Sequence, residues 1–485
     1  MVIKDPPRKN QGANRGYQAR EEGQIRPMPD HKSRTLVALR THNWNENVEY
    51  VARKLFGASA NCDFVLIVDE TNTVIDNDVF EKLSHNNDMS SLNLPHWPAS
   101  YNNLHYNGDY VLYYLRQKKP DYDYYVMSEN DTLVNTSIDA MIAYCTENDV
   151  DLVALIDEIN SPPHADFHAN STRWYTSYGR AFFPFICATG RLIDSLYSGR
   201  LRIRQELTDE TKWPYCESYV ASHTLSNPEF KICDLSHFAN LDRYTFMRHK
   251  YLHDGNLYLR DSIVHPVIGD DFYKRNLQFC PIEDIFDATS DLRGGLDYLH
   301  REKKHTFFPY VEDHIKKLGN IETLYRFYNL AVDCGWIDTV PEVSKAFLSN
   351  ANQSSVWIYS TFQDPRKDAA LVVDGIISEG TKSHTAIETN PWVEVEMQSI
   401  YEVRSVFIYV RPFNFHIFRD FQISFSEDGE RYEVMYCKND GCVPDSANLK
   451  PIIINFGRGH FAKFVRVTLL GHESMALNQI EVFSY

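Results

Sequence analysis

The chain has 485 residues, 43% of them hydrophobic and 24% charged, and carries a formal net charge of −17. A single core does not grow to that length, so at roughly 100 to 200 residues per domain two or three domains are expected. The acidic balance excludes a general nucleic-acid binder, whose phosphate contacts need a basic surface, yet it leaves room for a basic pocket around a diphosphate or a carboxylate site around a divalent cation.

Residues 1–33 are polar, rich in Pro, Gly and Arg, and lack the apolar centre of a secretory signal, so they read as a flexible leader. A solvated tail is the commoner role for such a segment; contact of its basic residues with an anionic membrane surface is the alternative. No run in the chain approaches the about 20 consecutive apolar residues of a membrane span. The nine cysteines are odd in number and form no CxxC pairs. They favour a reducing compartment, hence the cytoplasm or the inner face of a membrane, with Cys437 and Cys442 as two thiols rather than a bridge.

From Arg34 the chain alternates short apolar runs with helical patterns. RTLVALRT reads as a strand, NENVEYVARKLFGA as a helix, and NCDFVLIVDET as a buried strand ending in acidic residues. NGDYVLYYLRQKKP is a helix stopped by Pro120, DYDYYVMSENDTLV a strand running into an acidic loop, SIDAMIAYCTEND a helix and VDLVALIDEI a further strand. This βαβ rhythm predicts an α/β, Rossmann-like sheet over 34–275, with ligands at the carboxyl ends of its strands. Asp69, Glu70, Glu129 and Asp131 fall at such ends. IEDIFDATSDLRGGLDYLHREKK and NIETLYRFYNLAVDCGW turn the pattern helical and predict a connector over 276–349. Over 350–485, short alternating runs separated by turns such as EDGE predict an all-β sandwich.

Within that last segment, ALVVDGIISEGTKSHTAIETNPWVEVEM, VRSVFIYVR, RDFQISFSEDGERYEVM and FAKFVRVTLLGHESMALNQIEVFSY follow one another in the order and spacing of a discoidin domain. From Ser354 to Tyr485 the chain resembles that family, whose jelly-roll sandwich is shared with coagulation-factor C domains and many carbohydrate-binding modules. Its most telling pieces are Asp374-Gly375, Pro391-Trp392, Ser426 through Gly429 and the closing IEVF. Trp392 is expected in the core between the two sheets, and Asp428-Gly429 in a hairpin turn that tolerates positive φ. The resemblance puts ligands on loops at one end of the sandwich, which nominates His384, Arg411, Phe413, Phe415 and His416, since sugars are held by aromatic faces and planar hydrogen-bonding groups. Docking of this module on the rest of the chain is the equal alternative.

YDYYVMSENDTLVN resembles the metal-binding motif of GT-A-type glycosyltransferases, with Glu129, Asn130 and Asp131 as its acidic triplet. The resemblance implies that Asp131 binds Mn²⁺ or Mg²⁺, which neutralises charge on the diphosphate leaving group of a nucleotide sugar. A solvated loop or a helix N-cap is what such a triplet otherwise is. The same likeness nominates Arg40, Thr41, His42, Glu129 and Asn130 for the donor pocket and Asp69 for the base or ribose, where a turn role is as well supported. GRAFFPFICATGRLIDSLYSG resembles the acceptor side. Glu217, at the start of the helix after Pro214, is the candidate base, against an exposed acid favoured by the helix dipole. His265 in DSIVHPV is a candidate third metal ligand, against a structural histidine, with His237 as runner-up. No literal DxD is present.

Together these features predict a metal-dependent enzyme that moves a sugar from a nucleotide donor to a hydroxyl of a glycan or glycolipid, with the sandwich binding glycan or docking subunits, a homo-oligomer among the arrangements open to it. A non-catalytic, lectin-like assembly protein is the alternative. A glycoside hydrolase ranks last, because about 240 residues are too few for the usual eight-stranded barrel with its elaborations.

Overall fold

The computed structural model describes residues 34–98, 103–159, 167–254, 260–377, 382–412, 414–443 and 450–485. Its N-terminal part is built on one mixed sheet. β1 (Thr35–Thr41), β2 (Asp63–Asp69), β3 (Lys82–His85) and β4 (Tyr124–Glu129) run parallel. After the two-residue β5 (Leu133–Val134), β6 (Leu152–Ile159) and β7 (Tyr178–Thr189) follow, with β7 antiparallel to both β4 and β6. β8 (Ile232–Asp234) closes the edge, giving the order β3-β2-β1-β4-β7-β6-β8.

Successive strand residues point to opposite faces, and each face is covered by its own helices. Leu36, Ala38, Val65, Ile67, Tyr125 and Met127 share a core with α3 (Asp109–Lys118), α5 (Gly190–Glu206) and α6 (Cys216–Ser226); α2 (Asn103–Tyr106) precedes α3. Val37, Leu39, Leu66, Val68 and Val126 pack under α1 (Glu46–Gly57) and α4 (Ile138–Glu147). The start of α1 is fixed by Asn45, whose side chain accepts the amides of Asn47 and Val48.

Three short strands, β9 (Lys250–Tyr251), β10 (Ile263–Val264) and β11 (Val267–Ile268), lead into four helices. These are α7 (Phe272–Phe279), α8 (Asp291–Arg301), α9 (Phe307–Lys317) and α10 (Ile321–Asp333). The helical layer begins at Phe272, slightly ahead of the expected boundary at 276, and has a core of its own around Phe272, Leu296, Phe307, Phe327 and Trp336. Gly295 of α8 lies against the Phe272 ring so closely that a Cβ there would overlap it.

The sandwich begins with β12 (Asn350–Gln353) and the short α11 (Pro365–Ala370), followed by β13 (Ser383–His384) and β14 (Glu388–Thr389). Its axis is the long β15 (Trp392–Val410), which serves both sheets. The first half of β15 pairs with β12 and with β19 (Phe461–Leu469), which continues to β16 (Phe421–Ser426) and β17 (Glu433–Lys438). After an irregularity between Glu396 and Tyr401, the second half pairs with β18 (Ile452–Asn455) and β21 (Ala476–Ser484), and β20 (His472–Glu473) pairs with β14.

The Asp428-Gly429 turn is as expected: Gly429 has φ +79° and the Asp428 carboxylate accepts the amides of Glu430 and Arg431 at 2.8 and 2.9 Å. Trp392 departs from expectation. Val393, Val395 and Met397 are the buried residues of its strand, so Trp392 faces outward, with the Arg466 guanidinium 4.5 Å from its ring centre. The inward phase of WVEVEM belongs to the aliphatic residues. Cys437 and Cys442 are free and exposed. Among the described residues no helix is long and apolar enough to cross a membrane.

Candidate functional site

In the sheet, β2 and β3 lie to one side of β1 and β4 to the other, and an order that splits in this way opens a crevice at the carboxyl ends of the two central strands. Arg40 and Glu129 end those strands in register. Arg40 Nη1 stands 3.4 Å from Glu129 Oε1, and Nη2 donates to the Leu104 carbonyl at 2.8 Å. The chain then turns, the Thr132 amide bonding back to the Glu129 carbonyl at 3.1 Å, and Asn130 donates to Thr41 Oγ1 (3.1 Å) and Asn43 Oδ1 (3.0 Å).

That turn carries Asp131 toward a distant part of the chain. β5 pairs with β10, and the Val267 amide donates to the Asp131 carbonyl at 2.8 Å, which delivers His265 with Nε2 3.5 Å from Asp131 Oδ1. His265 Nδ1 lies 2.7 Å from the Thr245 carbonyl. A carbonyl only accepts, so Nδ1 carries the ring proton and Nε2 presents a bare lone pair to the carboxylate side. Burial lowers the imidazole to about 4, keeping it in the neutral form a metal requires. Ligand atoms of Glu129, Asp131 and His265 all lie within 4.8 Å of one another. Two carboxylates and one imidazole fit a divalent cation such as Mn²⁺.

Asp131, a third of whose side chain still meets the cleft, is raised to about 6 by desolvation. Glu217, in the first turn of α6, is raised to about 7: burial is the main cause, Glu129 and Asp157 add to it, and Arg180 and the Phe183 backbone oppose it. The start of that helix is anchored from below by Arg200, fully buried against Asp109, whose Nη1 donates to the Pro214 carbonyl at 2.7 Å. Tyr244, buried, accepts the Phe185 amide at 2.9 Å and feels the charges of Glu129, Glu217 and Asp131 together. All three carboxylates therefore lie within electrostatic reach of one buried ring. Nothing in YTFMRHK marks Tyr244 in the sequence.

The remaining candidates of this half are spread more widely. Thr41 is 2% exposed and its hydroxyl is spent on Asn43 and Asn130 within the turn. His42 is exposed on the loop after β1. Asp69 accepts the Thr71 amide at 2.9 Å, the turn role weighed for it, and lies opposite His85 in the β2–β3 register. His237 packs against Tyr144 and Phe238, away from the cluster that His265 joins.

In the sandwich, His384 and Arg411 are brought together: the imidazole is 8% exposed and lowered first by burial and then by the Arg411 charge. Trp357, which carried no sequence signal, stacks on His384 with ring centres 5.0 Å apart at 16°. Its neighbour Tyr359 is 81% exposed. Arg411 Nε is buried without a hydrogen-bond partner among the described residues. His416 is exposed and offers its carbonyl to Arg419 Nε at 2.7 Å. Phe413 lies outside the described residues, as does the side chain of Phe415.

The molecule is thus a mixed α/β chain whose sheet carries the Glu129–Asp131–His265 cluster at its carboxyl edge and whose C-terminal part is an all-β sandwich. Residues 350–482 match the F5/8 type C domain, and this part of the chain is a domain of that family. Among solved structures, the chain is similar to a mutant lectin binding domain of Lectinolysin complexed with Lewis b (20% identity, 30% of this chain and 98% of that one, TM-score 0.25). It is also similar to a Streptococcus pneumoniae fucose binding module (20%, 30% and 96%, 0.25). A third similarity is to the CpGH89CBM32-5 module from Clostridium perfringens in complex with GalNAc-β-1,3-galactose (17%, 28% and 94%, 0.23). No curated protein matches the chain.

Proposed function

We propose that this chain is a metal-dependent glycosyltransferase of GT-A type that uses a nucleotide sugar, with a C-terminal sandwich that holds glycan. The observation that carries the reading is the convergence of Glu129, Asp131 and His265 at the carboxyl edge of the sheet, with Glu217 raised to about 7 and within electrostatic reach of Glu129. Glu129, Asp131 and His265 would hold the cation. When bound, it supplies positive charge against the negative charge that grows on a nucleoside diphosphate as the sugar leaves.

The chain's own residues supply the rest. Arg40 holds Glu129 in place and brings a second positive charge to the crevice. Glu217, with a pKa of about 7, is matched to taking a proton from an acceptor hydroxyl and giving it up again at neutral pH. Desolvation of Asp131 and Glu217 makes an unneutralised cleft costly, which favours a cationic guest.

Thermal melts against a panel of nucleotide sugars with Mn²⁺ or Mg²⁺, followed by turnover assays, test this. A donor at about 100 times its Kd stabilises by ~2.7 kcal/mol, and the shift should need metal and vanish in Asp131→Asn. If no nucleotide sugar shifts the melt with metal present, the reading fails. Glycan hydrolysis without a nucleotide would point to a hydrolase.

A second reading is a non-catalytic carbohydrate-binding or assembly protein, favoured by the Trp357–His384–Arg411 group and the exposed Tyr359 ring beside it. Glycan binding with no donor binding under any metal would select it.

A further inference from the structure

Beneath the three-residue cluster lies a charge that the proposed chemistry does not use. Lys250 of β9 is 1% exposed, and an ammonium in that setting costs several kcal/mol unless its protons are matched. Its Nζ donates to Thr245 Oγ1 at 2.6 Å and to the His265 carbonyl at 3.2 Å. Asp291, in the first turn of α8, has a carboxylate oxygen 3.9 Å away. Thr245 in turn holds both ends of His265: its carbonyl accepts the Nδ1 proton, and its amide donates to the His265 carbonyl at 2.9 Å. The backbone of Lys250 completes the ring, its amide donating to the Pro266 carbonyl at 2.9 Å. A methionine or leucine would fill the same volume without burying a charge. The ammonium is therefore tied to what its hydrogen bonds fix, and they fix Thr245 and His265.

We infer that Lys250, braced by Asp291 from the helical layer, is a positioning residue that clamps Thr245 and His265 so that the Nε2 lone pair stays turned toward Asp131. This rests on the metal reading above and deepens it, because it makes the helical layer part of the metal site. Electrostatics and clamping predict opposite signs. A buried positive charge repels a divalent cation, so removing it would tighten metal binding if charge were all that mattered. Loss of the clamp would weaken binding, by roughly tenfold to a hundredfold as for other groups that orient a metal-bound histidine.

The experiment is calorimetric titration of Mn²⁺ into the full-length protein, wild type, Lys250→Met, Asp291→Asn and His265→Ala, each checked for a cooperative melt without metal. Wild type should bind, His265→Ala should lose most of the affinity, Lys250→Met should bind roughly tenfold to a hundredfold more weakly, and Asp291→Asn should weaken in the same direction by less. If Lys250→Met does not fold, Asp291→Asn, whose side chain is 22% exposed, decides, read against Arg243→Gln, since Asp291 also stands 3.6 Å from Arg243 Nε. Unchanged or tighter Mn²⁺ binding in Lys250→Met and Asp291→Asn, with His265→Ala impaired, overturns the clamp and leaves the metal site standing. No Mn²⁺ binding by the wild type overturns both.

Discussion

At the end of β4, Glu129, Asp131 and His265 are drawn together by backbone bonds between segments far apart in the chain, and burial shifts the pKa values of Asp131 and His265. In the sandwich, His384 is buried under the stacked Trp357 indole with the Arg411 charge close to it, and Tyr359 stands open beside the indole. The first arrangement sets two carboxylates and a neutral imidazole close together, and under the proposal a divalent cation would balance their charge. The second is a stacked ring pair beside one exposed tyrosine, and under the proposal it holds glycan without changing it. The proposal therefore assigns chemistry to the first and retention to the second.

The largest expected effect falls on the cleft. Asp131→Asn should abolish the metal-dependent melting shift given by a nucleotide sugar, since a neutral amide cannot balance the cation; a shift of wild-type size would remove Asp131 from the site. Glu217→Gln should come next, lowering turnover by roughly a hundredfold to ten-thousandfold in a saturated assay while donor stabilisation persists. A variant that loses donor binding instead would recast Glu217 as a binding group.

On the sandwich side, Arg411→Ala or Trp357→Ala should weaken glycan retention by ~tenfold, the scale of one charge-assisted hydrogen bond or one stacking contact. Affinity electrophoresis in glycan-containing gels reads this, and full retention by both variants would leave the sandwich as a docking module.

A further effect concerns pH. Glu217 has its folded pKa raised from 4.5 to about 7, so the folded metal-free chain binds more protons than the unfolded one across that window. Its contribution to stability is fully present below 4.5 and is lost as the pH rises through about 7. Glu217→Gln should flatten that part of the curve of melting temperature against pH, and an unaltered slope would show that the carboxyl is not desolvated. For turnover the sign is opposite: a base must be ionised, so rate should rise with pH through about 7.

The unevenness of the two sites also decides what the sequence could tell. Glu129 and Asp131 were legible because they follow a buried strand, and His265 because it follows an apolar pair. Their meeting was not, since β5 and β10 are two residues each and carry no readable period. The pKa of Glu217 comes from burial and from Glu129 and Asp157, none of which is local in sequence. Thr41 reads as a pocket residue until its hydroxyl is found bonded inside its own turn. In the sandwich the fold was legible from alternation and turns, but WVEVEM admits two phases, and a slip of one residue sends Trp392 to the wrong face. Trp357 sits in an irregular loop after β12, where no period exists to point at it.

The proposal requires the site at the carboxyl edge of the sheet to take a metal and a nucleotide sugar together. The most direct test is the melting temperature of the full-length protein across a panel of nucleotide sugars, each with Mn²⁺ and with chelator. At least one donor should stabilise only with Mn²⁺ and fail to do so in Asp131→Asn, whereas melts that ignore every donor, or respond equally in chelator, would rule out a metal-dependent donor site.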